Sequence, residues 1–568
     1  MSPAARPLAA LDAATLDALI APQLAARPNA TAFIDGSRHV DYTEFDAIVE
    51  RMAHRFAALG VGPGDRVALW LPNSIEWLAM LFGLARLGAA AVAVNTRFRA
   101  GELAYLLERS QARLLVLQLN FRKIDFPAVL ADVDPAPLAH LSRVAVVAAD
   151  ATMPAMVLGK PTAAFDPGAI GADPASATNA AMSDDTGLQQ ARRGLAAAAL
   201  ADQPVALFTT SGTTSGPKLV QHTQRTLAWH AARVARAMAF GASDAALLGA
   251  LPFCGVFGLA SALAAMAGGA PIVLQDVFDA PDAVALIREH AITHMFGSDE
   301  MYKRMLDEAD AQGWTQPFPS ARLFGYAAFQ PGGAEFAKQA WARGLPLLGL
   351  YGSSEVQALF SFQSPARPID ERLEAGGTPV GGADAQVRVR CVDTGALLPP
   401  GQSGELEIRA PSRFVGYLHN PEATAKAIGD DGFFRTGDIG RLRADGSFVF
   451  ETRAGDAMRL GGFLVGPGEI EEVLKAQPGV ADAQVVAVEA DHRMRPVAFV
   501  IAQPAMAADE ARAARLIAAV AEVLAPFKVP ARLWFLDAFP VTASANGTKI
   551  QRARLREMAV ERLALEQT

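Results

Sequence analysis

Two cysteines in 568 residues, Cys254 and Cys391, exclude a disulfide framework, and no Cys/His cluster has the spacing of a metal site. A reducing, cytoplasmic setting is expected. An excess of positive charge is also missing: 51 Lys and Arg against 59 Asp and Glu leave a net charge of −8, which argues against nucleic acid as the main partner. Met1–Pro7 lacks a charged segment followed by an apolar one, so no secretion signal is expected. Ala245–Leu274 carries no charge, but Pro252, several glycines and many small alanines break it up. A lipid-exposed helix is not written that way, so a buried strand–loop–helix passage is expected and an integral membrane location is set aside.

What is present fits a soluble enzyme, with 51% apolar and 19% charged residues. The length exceeds what one hydrophobic core serves, so at least two domains are expected. Phe45, Ile48, Val49, Met52, Phe56 and Leu59 keep helical spacing, with Thr43 as the expected N-cap and Gly60 as the stop. Pro63-Gly64-Asp65 then turns the chain into a strand, Arg66–Leu71, and Ser74 opens the next helix. This alternation predicts parallel βαβ units with helices on both faces, continuing to about residue 380. Residues 150–202 have no clear period and read as an irregular excursion. Short strands, as in Gln386–Cys391 and Gly404–Arg409, follow Gly381. From about Arg453 a compact α+β unit is expected: a helix at Glu469–Gln477, strands at Ala483–Val488 and Val497–Ile501, and a helix at Glu510–Leu524.

Behind the apolar run Pro204–Phe208 stands Thr209-Thr210-Ser211-Gly212-Thr213-Thr214-Ser215-Gly216-Pro217-Lys218. Hydroxyls, backbone N–H groups on a bending loop and one ammonium are what a polyphosphate needs. The spacing differs from the G-x-x-x-x-G-K-[ST] loop, so a different phosphate-binding architecture is implied. Further along come Tyr351-Gly352-Ser353-Ser354-Glu355, Arg435-Thr436-Gly437-Asp438, Arg453, and Asn546-Gly547-Thr548-Lys549-Ile550. In order, spacing and residue type these motifs resemble the adenylate-forming superfamily: acyl- and aryl-CoA synthetases, peptide-synthetase adenylation domains and beetle luciferases.

That resemblance covers nearly the whole chain. It implies an acyl-CoA synthetase-like α/β fold, with a large N-terminal AMP-binding domain at residues 1–452 and a small α+β lid at 453–568. It implies that ATP and a small-molecule carboxylic acid combine to an acyl-adenylate with loss of pyrophosphate, with Mg2+ as metal and coenzyme A as acceptor. Two anions must meet in the first step, so catalysis is expected from positioning and positive charge rather than an acid–base residue. The resemblance assigns Thr210, Ser211, Gly212, Thr213, Thr214 and Lys218 to the phosphates. It assigns Tyr351, Gly352 and Ala327 to the adenine side, and Ser354 to the α-phosphate. Glu355, with Thr210, is assigned to magnesium, Asp438 to the ribose hydroxyls, Arg453 to the ribose or phosphate, and Lys549 to the junction of carboxylate and α-phosphate. Gly461, Gly462 and Phe463 match the segment that lets the pantetheine arm of CoA pass.

Two departures stand out. The junction reads Thr452-Arg453-Ala454-Gly455-Asp456, so the hinge position is Gly455, where the family usually has Lys or Asp. In Leu251–Gly258, Gly255 replaces a frequent histidine beside the acyl pocket, for which Trp229, Phe253, Val256, Phe257 and Phe329 are the apolar candidates; any of these could equally be core. Cys254 reads as a packed small apolar residue. The leading expectation is an acid–CoA ligase. The alternatives are a ligase loading a separate carrier protein and a catalytically silent acid-binding protein of the same fold. A homodimer is the assembly to test.

Overall fold

The structure, a computed structural model, describes residues 5–121, 124–147, 153–165, 197–210, 217–327, 333–392, 394–453, 458–461, 463–465, 467–490, 493–504, 508–544 and 547–566. Within these residues two large sheets build the N-terminal part. The nine-stranded sheet has a parallel centre made by Pro204–Thr209, Ala90–Ala93, Arg66–Trp70, Leu114–Gln118, Arg143–Val147 and Lys160–Ala164. Its centre is buried on both faces, which is why Val67, Ala68, Leu69 and Trp70 form a continuous apolar run rather than an alternating one. Two strands of this sheet, Met156–Val157 and Lys160–Ala164, fall inside the stretch expected to be irregular. Strands this short, one at the sheet's edge and one beside it, leave too little periodicity to be seen in sequence.

The fourteen-stranded sheet changes character along its width. Strands Ile272–Leu274, Leu247–Gly249, His294–Ser298, Leu323–Ala327 and Leu347–Ser353 run parallel. From Leu347–Ser353 onward the pairing is antiparallel, through Gln357–Phe362, Gly376–Pro379, Phe448–Arg453 and Phe434–Leu442 to Gly404–Arg409. The parallel region thus ends at residue 353, not near 380, because a tight hairpin replaces the crossover helix there.

The main core packs the helices Tyr42–Ala58, Ile75–Leu87, Gln224–Ala237 and Val256–Gly268 between strands of both sheets. Phe33, Phe45, Phe56 and Phe82 are fully buried there, each stabilising the fold by about 2–3 kcal/mol in transfer terms. Helix Tyr42–Ala58 is capped by Asp41, whose carboxylate accepts from Glu44 N, rather than by Thr43, whose hydroxyl donates to Pro28 O. Ser74 caps its helix as expected, accepting from Trp77 N. The uncharged stretch forms strand Leu247–Gly249, helix Val256–Gly268 and strand Ile272–Leu274. Among the described residues no helix is long and apolar enough to cross a membrane.

The C-terminal part has its own cores. Strands Val480–Ala490 and Arg493–Ala502 form a hairpin joined in parallel by Arg532–Phe535, and the helices Pro467–Lys475, Glu510–Val523 and Arg552–Glu566 flank that sheet. The molecule is a mixed α/β protein with a large N-terminal and a small C-terminal domain.

Candidate active site

The hairpin at which the large sheet turns antiparallel carries the first set of expected residues. Ser354, Glu355 and Val356 form its turn, between strands Leu347–Ser353 and Gln357–Phe362. Gly352 is required there by crowding: a Cβ would lie 2.5 Å from Ala358 Cα and 2.6 Å from Gln357 O. Gln357 has φ +71°, a left-handed conformation costing a non-glycine residue about 1 kcal/mol or more. Its buried side-chain amide holds it there, donating to Thr226 O at 2.7 Å and Ser412 O at 3.1 Å. Behind the turn, His222 Nε2 donates to Ser354 O at 2.7 Å while Nδ1 faces Thr226 Oγ1 at 3.1 Å. Burial lowers the His222 pKa to about 4, so the ring is neutral at pH 7 and serves as a fixed strut.

Glu355 and Lys218 are brought together by Tyr417. The tyrosine hydroxyl donates to Glu355 Oε1 at 3.0 Å, and Lys218 Nζ lies 4.8 Å from the centre of the same ring. Strand Gly416–Tyr417 reaches this place by pairing with Leu219–Thr223, directly after the expected phosphate loop. The neck of that loop is closed by Thr210 N donating to Lys218 O at 2.9 Å and Lys218 N to Thr210 Oγ1 at 3.2 Å. Ser211, Gly212, Thr213 and Thr214 lie outside the described residues.

On the other flank, Tyr351 OH donates to Asp438 Oδ2 at 2.6 Å, and both side chains are buried. Asp438 is fixed further by its N–H, which donates to Thr436 Oγ1 at 3.0 Å. The Tyr351 ring packs edge-on against Phe448 at 5.1 Å between centroids. Arg453 stands opposite Asp438 in strand register. Ala327 ends its strand opposite Ser298.

These groups face one cleft of about 2490 Å³ between the two domains. Thr210, Lys218, Tyr351, Ser354, Glu355 and Asp438 line it from the large domain, while Gly461, Glu469 and Lys528 line it from the small one. Among the described residues no three His, Cys, Asp or Glu side chains converge as a protein-built metal cage. One carboxylate, Glu355, on the same cleft as the Thr210 hydroxyl, is instead a donor set that suits magnesium, which keeps waters and substrate phosphate oxygens as its other ligands.

The acyl-pocket candidates divide. Gly255 and Phe257 line the cleft, but Trp229 and Phe253 do not. Phe253 is 1% exposed and packs on Trp77 at 6.0 Å, and Trp229 is covered by the Arg233 guanidinium at 3.7 Å. Core packing and a cation–π contact take up these two rings. Half-buried Cys254 also lines the cleft, and desolvation raises its thiol to about 11, which leaves it unactivated. Gly461 forms the turn of the hairpin Met458–Leu460/Phe463–Val465. Gly455, Gly462 and Phe329 lie outside the described residues. Lys549 stands in strand Gly547–Ile550, paired with Thr542.

Sequence reasoning missed His222, Tyr417 and Gln357. His222 carried one usable signal, a histidine at the end of the strand after the phosphate loop. Tyr417 and Gln357 carried none.

Comparison with known proteins agrees with this geometry. The chain is 32% identical over 540 residues, covering 94% of this chain and 96% of its relative, to a 3-[(3aS,4S,7aS)-7a-methyl-1,5-dioxo-octahydro-1H-inden-4-yl]propanoyl:CoA ligase of Mycobacterium tuberculosis. It is 31% identical over 545 residues, 93% of each chain, to a fatty acid–[acyl-carrier-protein] ligase of Streptomyces coeruleorubidus. Its fold matches o-succinylbenzoate CoA synthetase of Bacillus subtilis, a double mutant bound with its product analogue OSB-NCoA, with a TM-score of 0.73 at 22% identity over 95% of this chain and 98% of the other. Against the same synthetase in complex with AMP the TM-score is 0.59, again at 22% identity over 95% and 98%. Residues 20–418 match the AMP-binding enzyme family and residues 469–546 its C-terminal domain. With the phosphate-loop neck, the hairpin carboxylate and the Tyr351–Asp438 pair on one cleft, the chain belongs to the AMP-binding enzyme family.

Proposed function

We propose that this enzyme is an ATP-dependent carboxylic acid–CoA ligase. In the first half-reaction a carboxylate oxygen of the acid attacks the α-phosphorus of ATP and pyrophosphate leaves, giving an acyl-adenylate. In the second the CoA thiol, losing its proton, attacks the acyl carbonyl and AMP leaves. The observation that carries this reading is the meeting of Lys218, Glu355, Tyr351 and Asp438 on one interdomain cleft. Asp438, oriented by Tyr351, presents a carboxylate suited to a vicinal diol, as on ribose. Lys218 and the phosphate loop hold the polyphosphate, and Ser354 sits beside the α-phosphate. Glu355 would hold magnesium, which when bound would supply positive charge where two anions approach. Lys549 belongs at the junction of carboxylate and phosphate, delivered by the small domain as it turns about Gly455 within the 453–457 junction. Leu251, Val256, Phe257 and Leu359 supply an apolar end of the cleft for the acid. Absence of a side chain at Gly255 leaves room there, since a Cβ would meet only Pro252 O at 3.4 Å. ATP, magnesium and CoA are all available in the cytoplasm, which supports a cytoplasmic setting for the reaction.

Transfer to a carrier protein is the second reading, favoured by the likeness to the acyl-carrier-protein ligase. A panel of aliphatic and ring-bearing carboxylic acids, assayed for pyrophosphate release and for thioester with and without CoA, decides between them. Acyl-CoA and AMP formed together are the expected result. Adenylate persisting in excess CoA with every acid that releases pyrophosphate would overturn CoA as acceptor.

A further inference from the structure

We propose that Lys528, Glu102 and Glu469 form a pin that docks the small domain on the large one for thioester formation, with Lys528 and Glu102 as positioning residues for that half-reaction. The inference rests on the CoA-ligase reading above. Lys528 belongs to the small domain, in the short turn Pro526–Lys528, and Glu469 to the adjoining helix Pro467–Lys475. Glu102 belongs to the large domain, in the first turn of helix Ala100–Ser110. The ammonium donates to Glu469 Oε1 at 2.7 Å and, across the domain boundary, to Glu102 Oε1. All three side chains are withdrawn from water: Lys528 is 8%, Glu102 9% and Glu469 15% exposed.

Geometry makes the pin specific to one orientation. Lys528 and Glu469 travel together whenever the small domain turns, so their bond survives rotation. The bond to Glu102 does not. Rotation separates the two charges and returns both to water, so the pair forms only in the docked arrangement and marks that one orientation. Glu102 is itself pre-aimed, because its second oxygen, Oε2, accepts from Arg99 N at 3.0 Å as part of the helix cap.

The docked arrangement also brings the hairpin turn of the small domain to the cleft. Gly461 has φ +57°, and a Cβ there would stand 3.0 Å from Phe527 Cβ and 3.9 Å from an Arg97 guanidinium nitrogen. Helix Glu510–Val523 meets helix Ala100–Ser110 beside it. The overall shape is closer to the product-analogue complex of the Bacillus subtilis synthetase than to its AMP complex. The pin therefore sits at the interface present when the Gly461 turn lines the cleft.

The test separates the two half-reactions. Glu102→Gln keeps the cap acceptor but removes the charge, and Lys528→Met removes the ammonium. Each should lower thioester formation from supplied acyl-adenylate and CoA about tenfold. ATP–pyrophosphate exchange should stay within about twofold, which also shows that the variants fold. Lys528→Arg, which keeps the charge, should restore most of the loss. In the ligand-free proteins, amide hydrogen exchange over residues 524–530 should rise in both charge-removing variants while that of the core strand Arg66–Trp70 is unchanged. Equal loss in both half-reactions, or no change in either, would overturn the pin. Should the wild-type enzyme make no thioester with any acid, the CoA-ligase reading fails by itself. Hydrogen exchange then still decides whether the pin docks the domain, and unchanged exchange at 524–530 would overturn it.

Discussion

On the large-domain side of the cleft, Asp438 and the hairpin turn at Ser354–Val356 are tied to buried partners. Tyr351 holds Asp438, Tyr417 holds Glu355, His222 holds the Ser354 carbonyl, and Gln357 braces the turn from beneath. On the small-domain side the cleft is met by a hairpin turn at Gly461 and by the Lys528 pin, whose ammonium is shared with Glu102 of the large domain. The first region is preorganised and the second is positioned. Charge that must be in place before ATP arrives is fixed in a deep sheet, where it costs no reorganisation during reaction. On the proposed reading, groups needed in only one half-reaction stand on the small domain.

The strongest way to break this contrast is at its fixed side. Glu355→Gln keeps the volume and the acceptor for Tyr417 but loses the charge. Magnesium-dependent consumption of ATP should fall about 10³-fold with an unchanged melting temperature. Turnover at the normal rate would reduce the Ser354–Val356 turn to a strand connection.

A smaller loss is expected from the movable side. Lys549→Ala should slow adenylation about 10²-fold, yet thioester formation from a chemically made acyl-adenylate and CoA should be largely spared. If that bypass fails as completely as the full reaction, Lys549 serves both steps and the division of labour between the regions is wrong.

Acid titration sharpens the comparison with the smallest effect. Burial lowers His222, His230 and His294 of the large domain from 6.5 to about 4. A lowered folded-state pKa means that the unfolded chain binds more protons between pH 6.5 and about 4, so stability falls as pH drops through that window. Each histidine contributes a slope of at most about 1.4 kcal/mol per pH unit. Burial shifts Glu469 and Glu471 of the small domain the opposite way, upward, so protonation favours their folded state. Urea midpoints followed from pH 7 to 5 should therefore fall for the large domain and less for the small one, and His230→Gln should flatten the large-domain slope. A pH-independent midpoint would show that these rings are not buried neutral.

Much of the fold could be read before any coordinates. The strand Arg66–Trp70, the helix opened by Ser74, the passage through Ala245–Leu274 and the small-domain elements all follow from runs and periods a few residues long. Such signals report local geometry, which 3.6- and 2-residue repeats encode directly. The phosphate-loop, Tyr351–Glu355 and Asp438 motifs were legible for the same reason, since each is a short loop that must hold its residues at fixed offsets.

What the chain alone left open were choices made by packing. Thr43 and Asp41 are both acceptable caps, and the hydroxyl of Thr43 is taken by Pro28 O from another segment. Phe253 and Trp229 look like pocket residues until Trp77 and Arg233 cover them. Tyr417 reaches Glu355 only because its strand joins the edge of the nine-stranded sheet. Lys528 and Glu102 are 426 positions apart, a separation over which no period or motif carries information. Local sequence determines which elements form and which chemistry they bear. Which side chains meet is decided when two sheets and a second domain bury their faces together, because burial forces polar groups to find partners wherever the fold brings them.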